Sequence, residues 1–390
     1  MVKGIFCHYL PIYKDINGIY CSTTLTDDLF SRYFTVVDKL YVATRVYSIN
    51  KTYKEAHQEK ITLDNIVIIE FPNLSTIWNY TFGKRKYYKK LEEIISDVDL
   101  IFIRGGVIAN LAASASKKLH KPYLYENSGC AWDDMWNHSL AGKFLALSAE
   151  IEQKKICKNA AFVVYVTEKW LQKRYPTNGI STYASNVVLT TIDESALTNR
   201  LNKIEKKEKR STIVLGTTGG IDNKAKGQQY VIKAISRLKK YDIRYEVVGG
   251  GNGEYLKKIA KKYGVEERLI IKGQLTHEEV LKWLDSIDLY IQPSMQEGLP
   301  RSLIEAMSRA CPAIGSTTGG IPELIDQKMI FKRGKTNSLT EVLSKSIDCN
   351  MTDIALANFE KSKEYLLEKI ASRRNNLYLQ YKEFVFGDKK

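Results

Sequence analysis

The 390-residue sequence predicts two α/β domains in series, each a parallel sheet covered by helices. Three observations carry this. Short apolar runs rich in Val, Ile, Phe and Tyr recur without strict polar alternation, the pattern of strands buried on both faces. Segments of helical period separate them. A charged stretch poor in apolar residues, 194–211, divides the series near its middle. At about 150 residues per domain the length allows two or three domains. Such a chain buries sizeable cores without a disulfide or metal staple.

In chain order, the first strands fall at 4–7, 40–44, 66–71, 100–106 and 162–168. Helices are expected at 107–119 and 146–159. Residues 15–30 read as a loop entering a helix, with Gly18 allowing close backbone approach. The stretch 194–211 reads as a solvated, partly helical connector. A second series follows, with strand-to-loop units at 212–220, 244–254, 268–275, 288–294 and 312–320 and an amphipathic helix at 230–240. Phe359, Tyr365, Leu366, Ile370, Leu377 and Tyr381 give the tail a helical spacing. The expected domains are 1–200 and 211–371, with a last helix over 372–390.

A hydrophobic share of 44% with 11% aromatics excludes a disordered chain. The net charge is +15, spread over both halves, which fits a phosphorylated substrate, an anionic membrane surface or nucleic acid. No nucleic-acid-binding motif accompanies the charge. Six cysteines (7, 21, 130, 157, 311, 349) lie far apart and read as reduced thiols. The N-terminus MVKGIFCHYLPIYKD is too short an apolar run for a signal peptide. No run approaches the roughly 20 apolar residues of a spanning helix. The expectation is a cytoplasmic protein that touches a membrane without crossing it.

Residues 296–326, QEGLPRSLIEAMSRACPAIGSTTGGIPELID, hold the densest signal. A buried strand, DLYIQPS, ends at its carboxyl edge, and Glu297 and Gly298 follow in a loop. Pro300 suits a first helical turn. Leu303, Ile304, Met307 and Ala310 form an apolar stripe, and Pro312 stops the helix. A helix N-terminus then faces the crevice where open α/β sheets bind ligands. Its unpaired N–H groups suit a phosphate or a hydroxyl. Glu297 and Glu305 add two acceptors for a hydroxyl-rich ligand.

This segment resembles the donor site of family 4 retaining glycosyltransferases, whose signature is Glu, seven residues, Glu, then a small-residue loop and Pro-Glu. The resemblance covers 212–330 closely and 1–200 loosely. It implies the GT-B fold, two Rossmann-like domains facing across a cleft, with the last helix crossing back to the first domain. It implies that Glu297 meets the donor sugar and acts in catalysis, and that Glu305 holds the nucleotide ribose. Gly298, Leu299, Pro300, Arg301, Ser302 and Leu303 then border the sugar and diphosphate. The family's Lys-Gly matches Lys226-Gly227, but its preceding Arg falls on Gly220, leaving Lys224 as a possible substitute. Gly216, Gly273 and Gly18 complete the donor-side candidates.

In 123–144, Glu126, Asp133 and Trp132 are acceptor-side candidates and His138 a catalytic one. The alternative reading puts the tryptophans in the core and Asp133 at a helix cap. TEKWLQKRYP, 167–176, matches a family stretch with a structural role. Segment 76–93 mixes aromatics with cations, fitting an anionic bilayer surface or a solvated helix with packed aromatics. The implied partners are a nucleotide sugar and a glycan or lipid-linked acceptor, with no metal or other cofactor. A nucleotide-sugar epimerase on the same fold and a basic nucleic-acid-binding protein are the alternatives.

Overall fold

The computed structural model describes residues 1–74, 84–187, 189–207 and 211–387, apart from the side chains of Lys84 and His138. The first domain carries strands β1 (Lys3–His8), β2 (Ile12–Lys14), β3 (Tyr20–Ser22), β4 (Lys39–Ser48), β5 (Glu59–Lys60), β6 (Ile66–Phe71), β7 (Leu100–Arg104), β8 (Leu124–Asn127), β9 (Phe162–Tyr165) and β10 (Ile180–Tyr183). Its helices are α1 (Asp27–Ser31), α2 (Lys84–Asp97), α3 (Val107–Lys118), α4 (Ala131–His138), α5 (Leu140–Asn159) and α6 (Trp170–Arg174). The sheet runs β10-β9-β8-β7-β1-β4-β2-β3-β5, with β6 also on β4.

The second domain has β11 (Ile213–Thr218), β12 (Ile243–Val248), β13 (Leu269–Gly273), β14 (Leu289–Gln292), β15 (Ala313–Ser316) and β16 (Ile330–Phe331). Around them lie α7 (Glu194–Glu205), α8 (Gln228–Ile235), α9 (Glu254–Tyr263), α10 (His277–Ser286), α11 (Arg301–Ser308), α12 (Thr336–Asp348) and α13 (Thr352–Ser362). The sheet order is β13-β12-β11-β14-β15-β16, all parallel. The last helix, α14 (Leu367–Gly387), returns to the first domain. Among the described residues no helix is long and apolar enough to cross a membrane.

Strand alternation divides the first domain's core. Leu100 and Phe102 of β7 join Phe6, Tyr33 and the α14 residues Leu377, Tyr378 and Tyr381 on one face. Ile101 and Ile103 join Ile5, Cys7 and the α3 residues on the other. Tyr381 fixes α14 to the sheet: its hydroxyl accepts from the Ile101 N–H at 2.9 Å and donates to the Pro122 carbonyl at 2.9 Å.

Three sequence expectations change. Residues 194–205 are not a solvated connector but α7, docked on the second domain. Buried Arg200 donates to the Leu284 and Ile287 carbonyls at 2.7 and 2.6 Å, closing the C-terminal end of α10. The chain crosses between domains at Leu189 and again at Leu366, which form a parallel bridge. The boundary therefore lies near 189 rather than 200, and the returning helix starts at 367 rather than 372. Residues 15–30 begin with a β2–β3 hairpin, and Gly18 is its turn (φ 79°). Asp15 organises that turn by accepting from the Asn17 and Ile19 N–H groups at 2.9 Å. The turn borders Lys14 and Lys51 of the first domain; among the described residues no contact joins Gly18 to the second domain.

Candidate active site

The second sheet reverses its order between β11 and β14. Ligands of open α/β sheets bind at such a switch point, outside the carboxyl ends of the strands. The loops 219–227 and 293–300 meet there. Glu297 Oε1 accepts from Lys226 Nζ at 2.8 Å, from Ser294 Oγ at 2.8 Å and from Gln292 Nε2 at 3.3 Å. Among the described residues no hydrogen bond reaches its other oxygen. Lys226 ends a short 3-10 turn whose Asn223 side chain accepts from the Ala225 N–H at 3.0 Å. Gly227 follows with φ 77°, and a Cβ there would stand 2.0 Å from the Pro293 carbonyl oxygen. Only glycine permits that approach, which brings the lysine loop against the glutamate loop.

Helix α11 starts beside this pair. Its N-cap is Pro300, one residue before the helix, and no side chain caps its first turn. Leu303, Ile304 and Met307 are buried and aim the helix tip at the crevice. Ser302 Oγ donates to Gln292 Oε1 at 3.1 Å. Burial raises the Glu305 carboxyl above the usual range, against the pull of His277, 3.8 Å away, and Arg301. Gly298 lies where a Cβ would be 2.3 Å from the Ser128 carbonyl oxygen, so the donor-side loop rests on first-domain backbone.

A family model described as "Glycosyl transferases group 1" matches residues 197–363. Protein CapJ of Staphylococcus aureus is 31% identical, over 98% of this chain and 96% of that protein. The chain belongs to the group 1 glycosyltransferases. WcaL of Salmonella typhimurium, a putative colanic acid biosynthesis glycosyltransferase, is 29% identical over 38% of this chain and 36% of its own. The Anabaena HepE structure in complex with UDP and glucose superposes with a TM-score of 0.59 at 16% identity, over 99% of this chain and all of that one, 100%. The fold is GT-B, as the sequence predicts.

Several candidates of this glycosyltransferase stand elsewhere. Gly216 lies inside β11, where a Cβ would be 2.5 Å from Ile287 and 2.7 Å from Trp283; it serves packing, not the donor. Lys224 lies over the Tyr255 ring at 4.8 Å and is not paired into the Glu297 cluster. It therefore does not restore the cation absent at Gly220. Gly273 ends β13 with φ 76° and open space around it. In the neighbouring glycine-rich loop the Asn252 and Gly253 N–H groups are held by Asp222, at 2.9 and 3.1 Å.

Glu126 is not acceptor-side. It is buried between Arg32, Arg104, Tyr33 and Tyr378. Trp132 is half-buried against the core and stacks on Trp136 at 5.3 Å. His138 closes α4, but its side chain lies outside the described residues. Asp133 pairs with Arg333 of the second domain at 3.2 Å. Asp134 accepts from Gln296 across the same boundary. The 167–176 stretch has the structural part the resemblance implies: Glu323 accepts from the Glu168 and Lys169 N–H groups at 2.7 and 3.1 Å, and from Trp170. Of segment 76–93, residues 76–83 lie outside the described ones. On α2, Tyr87 and Tyr88 pack against the core, so its aromatics do not face outward.

Burial raises the Asp134 carboxyl to about 6; Gln296 opposes this and Asp133 adds to it. Its contribution to stability is therefore full below the ordinary carboxylate pKa and lost as pH rises through about 6. Asp134→Asn keeps the acceptor for Gln296 and is expected to stabilise the protein at pH 7.5. The gain is at most about 1 kcal/mol, because the side chain is partly exposed. Thermal unfolding at pH 7.5 and pH 4 checks this, with the difference vanishing at the lower pH.

Proposed function

We propose that this glycosyltransferase is a retaining enzyme of the family 4 type. It moves a sugar from a nucleotide sugar to a hydroxyl of a glycan or lipid-linked acceptor in cell-surface polysaccharide assembly, at the inner face of the membrane. The observation that supports it most is the Lys226–Glu297 pair beside the uncapped tip of α11, at the switch point of the second sheet. In this reading Lys226 and the α11 N–H groups stabilise the diphosphate as charge develops on it. Glu297 accepts from sugar hydroxyls through its remaining lone pairs, and Glu305 from the ribose. The bond from the anomeric carbon to the phosphate oxygen breaks. A bond from the acceptor oxygen to the same face forms, and the acceptor proton passes to the departing phosphate.

In this reading no metal is needed, since the Lys226 ammonium and the α11 N–H groups neutralise the leaving diphosphate. Turnover in excess EDTA is expected to match turnover without it; a loss restored by Mg²⁺ or Mn²⁺ would overturn this part. The function itself is tested by thermal-shift screening against UDP, GDP and their sugars, followed by NMR of the product formed from the hit. Retained anomeric configuration is expected. An inverted product, or no response to any nucleotide, would sink the reading.

A further inference from the structure

Helix α5 turns most of its large apolar side chains outward. A surface helix ordinarily buries its apolar stripe and exposes its polar one. Here the buried positions are Gly142, Ala146, Glu150, Gln153, Ile156 and Cys157, so two polar side chains sit on the inner face. The opposite face carries Leu140, Phe144, Leu147 and Ile151, which are 77, 88, 59 and 57% exposed. Their spacing of four, three and four residues makes one continuous stripe. The two polar residues of the inner face anchor it. Glu150 holds Arg174 at 3.1 Å and the Tyr175 hydroxyl at 2.5 Å. Gln153 accepts from the Ala131 N–H at 2.7 Å and donates to Asn127 and Gly129 at 2.9 and 2.8 Å. Turning the helix to bury its leucines would break all of these.

The neighbouring helix extends the face. Gly142 allows α4 and α5 to touch, since a Cβ there would stand 2.2 Å from the Met135 carbonyl oxygen. Trp136 is 43% exposed, with Lys143 over its ring at 5.6 Å. Beyond Ile151 the exposed positions become Lys154, Lys155 and Lys158. Glu150 is buried and Glu152 partly so; no other carboxylate lies between 139 and 159. Two copies meeting through this face would bring lysines together. An anionic surface would meet both the stripe and the cations.

We propose that the exposed face of α5, with Trp136, is the seat of this enzyme on an anionic phospholipid bilayer. The stripe enters the headgroup boundary and the lysines meet lipid phosphates. The same α4–α5 unit reaches the donor side through Asp133–Arg333 and Asp134–Gln296, so a seated enzyme holds its cleft next to the membrane. The purpose of this seat rests on the reading of a lipid-linked acceptor, but its test does not.

Co-sedimentation with vesicles of phosphatidylglycerol and phosphatidylcholine is compared with pure phosphatidylcholine vesicles. The wild type is expected to bind the anionic vesicles. Phe144→Ser with Leu147→Ser is expected to weaken this at least about tenfold, from lost apolar insertion. Lys154→Gln, Lys155→Gln and Lys158→Gln together should remove the preference for anionic lipid. Circular dichroism and the thermal shift with UDP, measured separately, should be unchanged in both variants. Absent wild-type binding, or a serine variant that sediments as well as wild type, would overturn the proposal. So would a lipid-free dimer in analytical ultracentrifugation that the serine variant dissolves, since the face would then belong to a second copy.

Discussion

Replacing Lys226 with alanine is expected to lower kcat roughly a hundred- to a thousandfold, the range for removing one preorganised donor from developing negative charge. The reason lies in how the lysine is held. Its amine sits 2.8 Å from Glu297 Oε1, which Ser294 and Gln292 also hold. The ammonium is thus placed before any ligand arrives and needs little reorganisation when the diphosphate leaves. With Gly220 where the resembling enzymes carry arginine and Lys224 over Tyr255, Lys226 is the one cation paired into the cluster among the described residues. More of the effect therefore falls on it than in a site with two. Glu297→Ala should be comparably severe, and the double variant much less than the sum, because the two side chains position each other. Lys226→Arg should recover part of the rate. The pair is largely buried, with its side chains 29 and 12% exposed, so the single variants should also lower the unfolding temperature and their kcat is compared where each remains folded. Steady-state kinetics of the four variants decide it; a K226A enzyme with near-normal kcat would remove this lysine from the chemistry.

The strands and the donor-side loop were legible because each has a strong local cause. LIFI at 100–103 is apolar throughout because both faces of β7 are covered. The 296–326 segment combines a helix tip, the glutamates Glu297 and Glu305, and glycines at positions where a Cβ would strike backbone. What was not legible depended on direction. Glu126 reads the same in sequence whether it faces a cleft or a core. Strand parity was a usable signal: Glu126 shares a face with Leu124, and Arg104 shares one with Leu100 and Phe102, which α14 covers. The β2–β3 hairpin escaped because three-residue strands carry no periodicity. Helix α7 looked solvated because Arg200 and Lys203 reach carbonyls at the end of α10, long-range partners that composition does not show. The α5 stripe is in the sequence, but an apolar stripe ordinarily signals burial, and only the fold shows which face is turned inward.

Glu126→Ala is expected to destabilise the protein by about 3–5 kcal/mol, the range for breaking a buried ion pair. One carboxylate serves four partners. Oε2 accepts from Arg32 at 2.8 Å and from Arg104 Nε at 2.7 Å; Oε1 accepts from Tyr33 at 2.9 Å and from Tyr378. Arg104 is almost fully buried, so removing the carboxylate leaves an uncompensated guanidinium in the core, with a second one beside it at Arg32. Tyr378 belongs to α14, and with Tyr381 it ties the returning helix to the first sheet. Loss of Glu126 should therefore loosen α14 first, seen as faster proteolysis after 366 and a lower urea midpoint. Tyr378→Phe removes one hydrogen bond to a charged group and should cost about 1.5–3 kcal/mol. An acceptor-binding Glu126 would behave in the opposite way, with kcat/KM falling and the urea midpoint fixed. A buried hub changes the midpoint while leaving the kinetics of the still-folded enzyme near wild type, so the two measurements on one variant separate the roles.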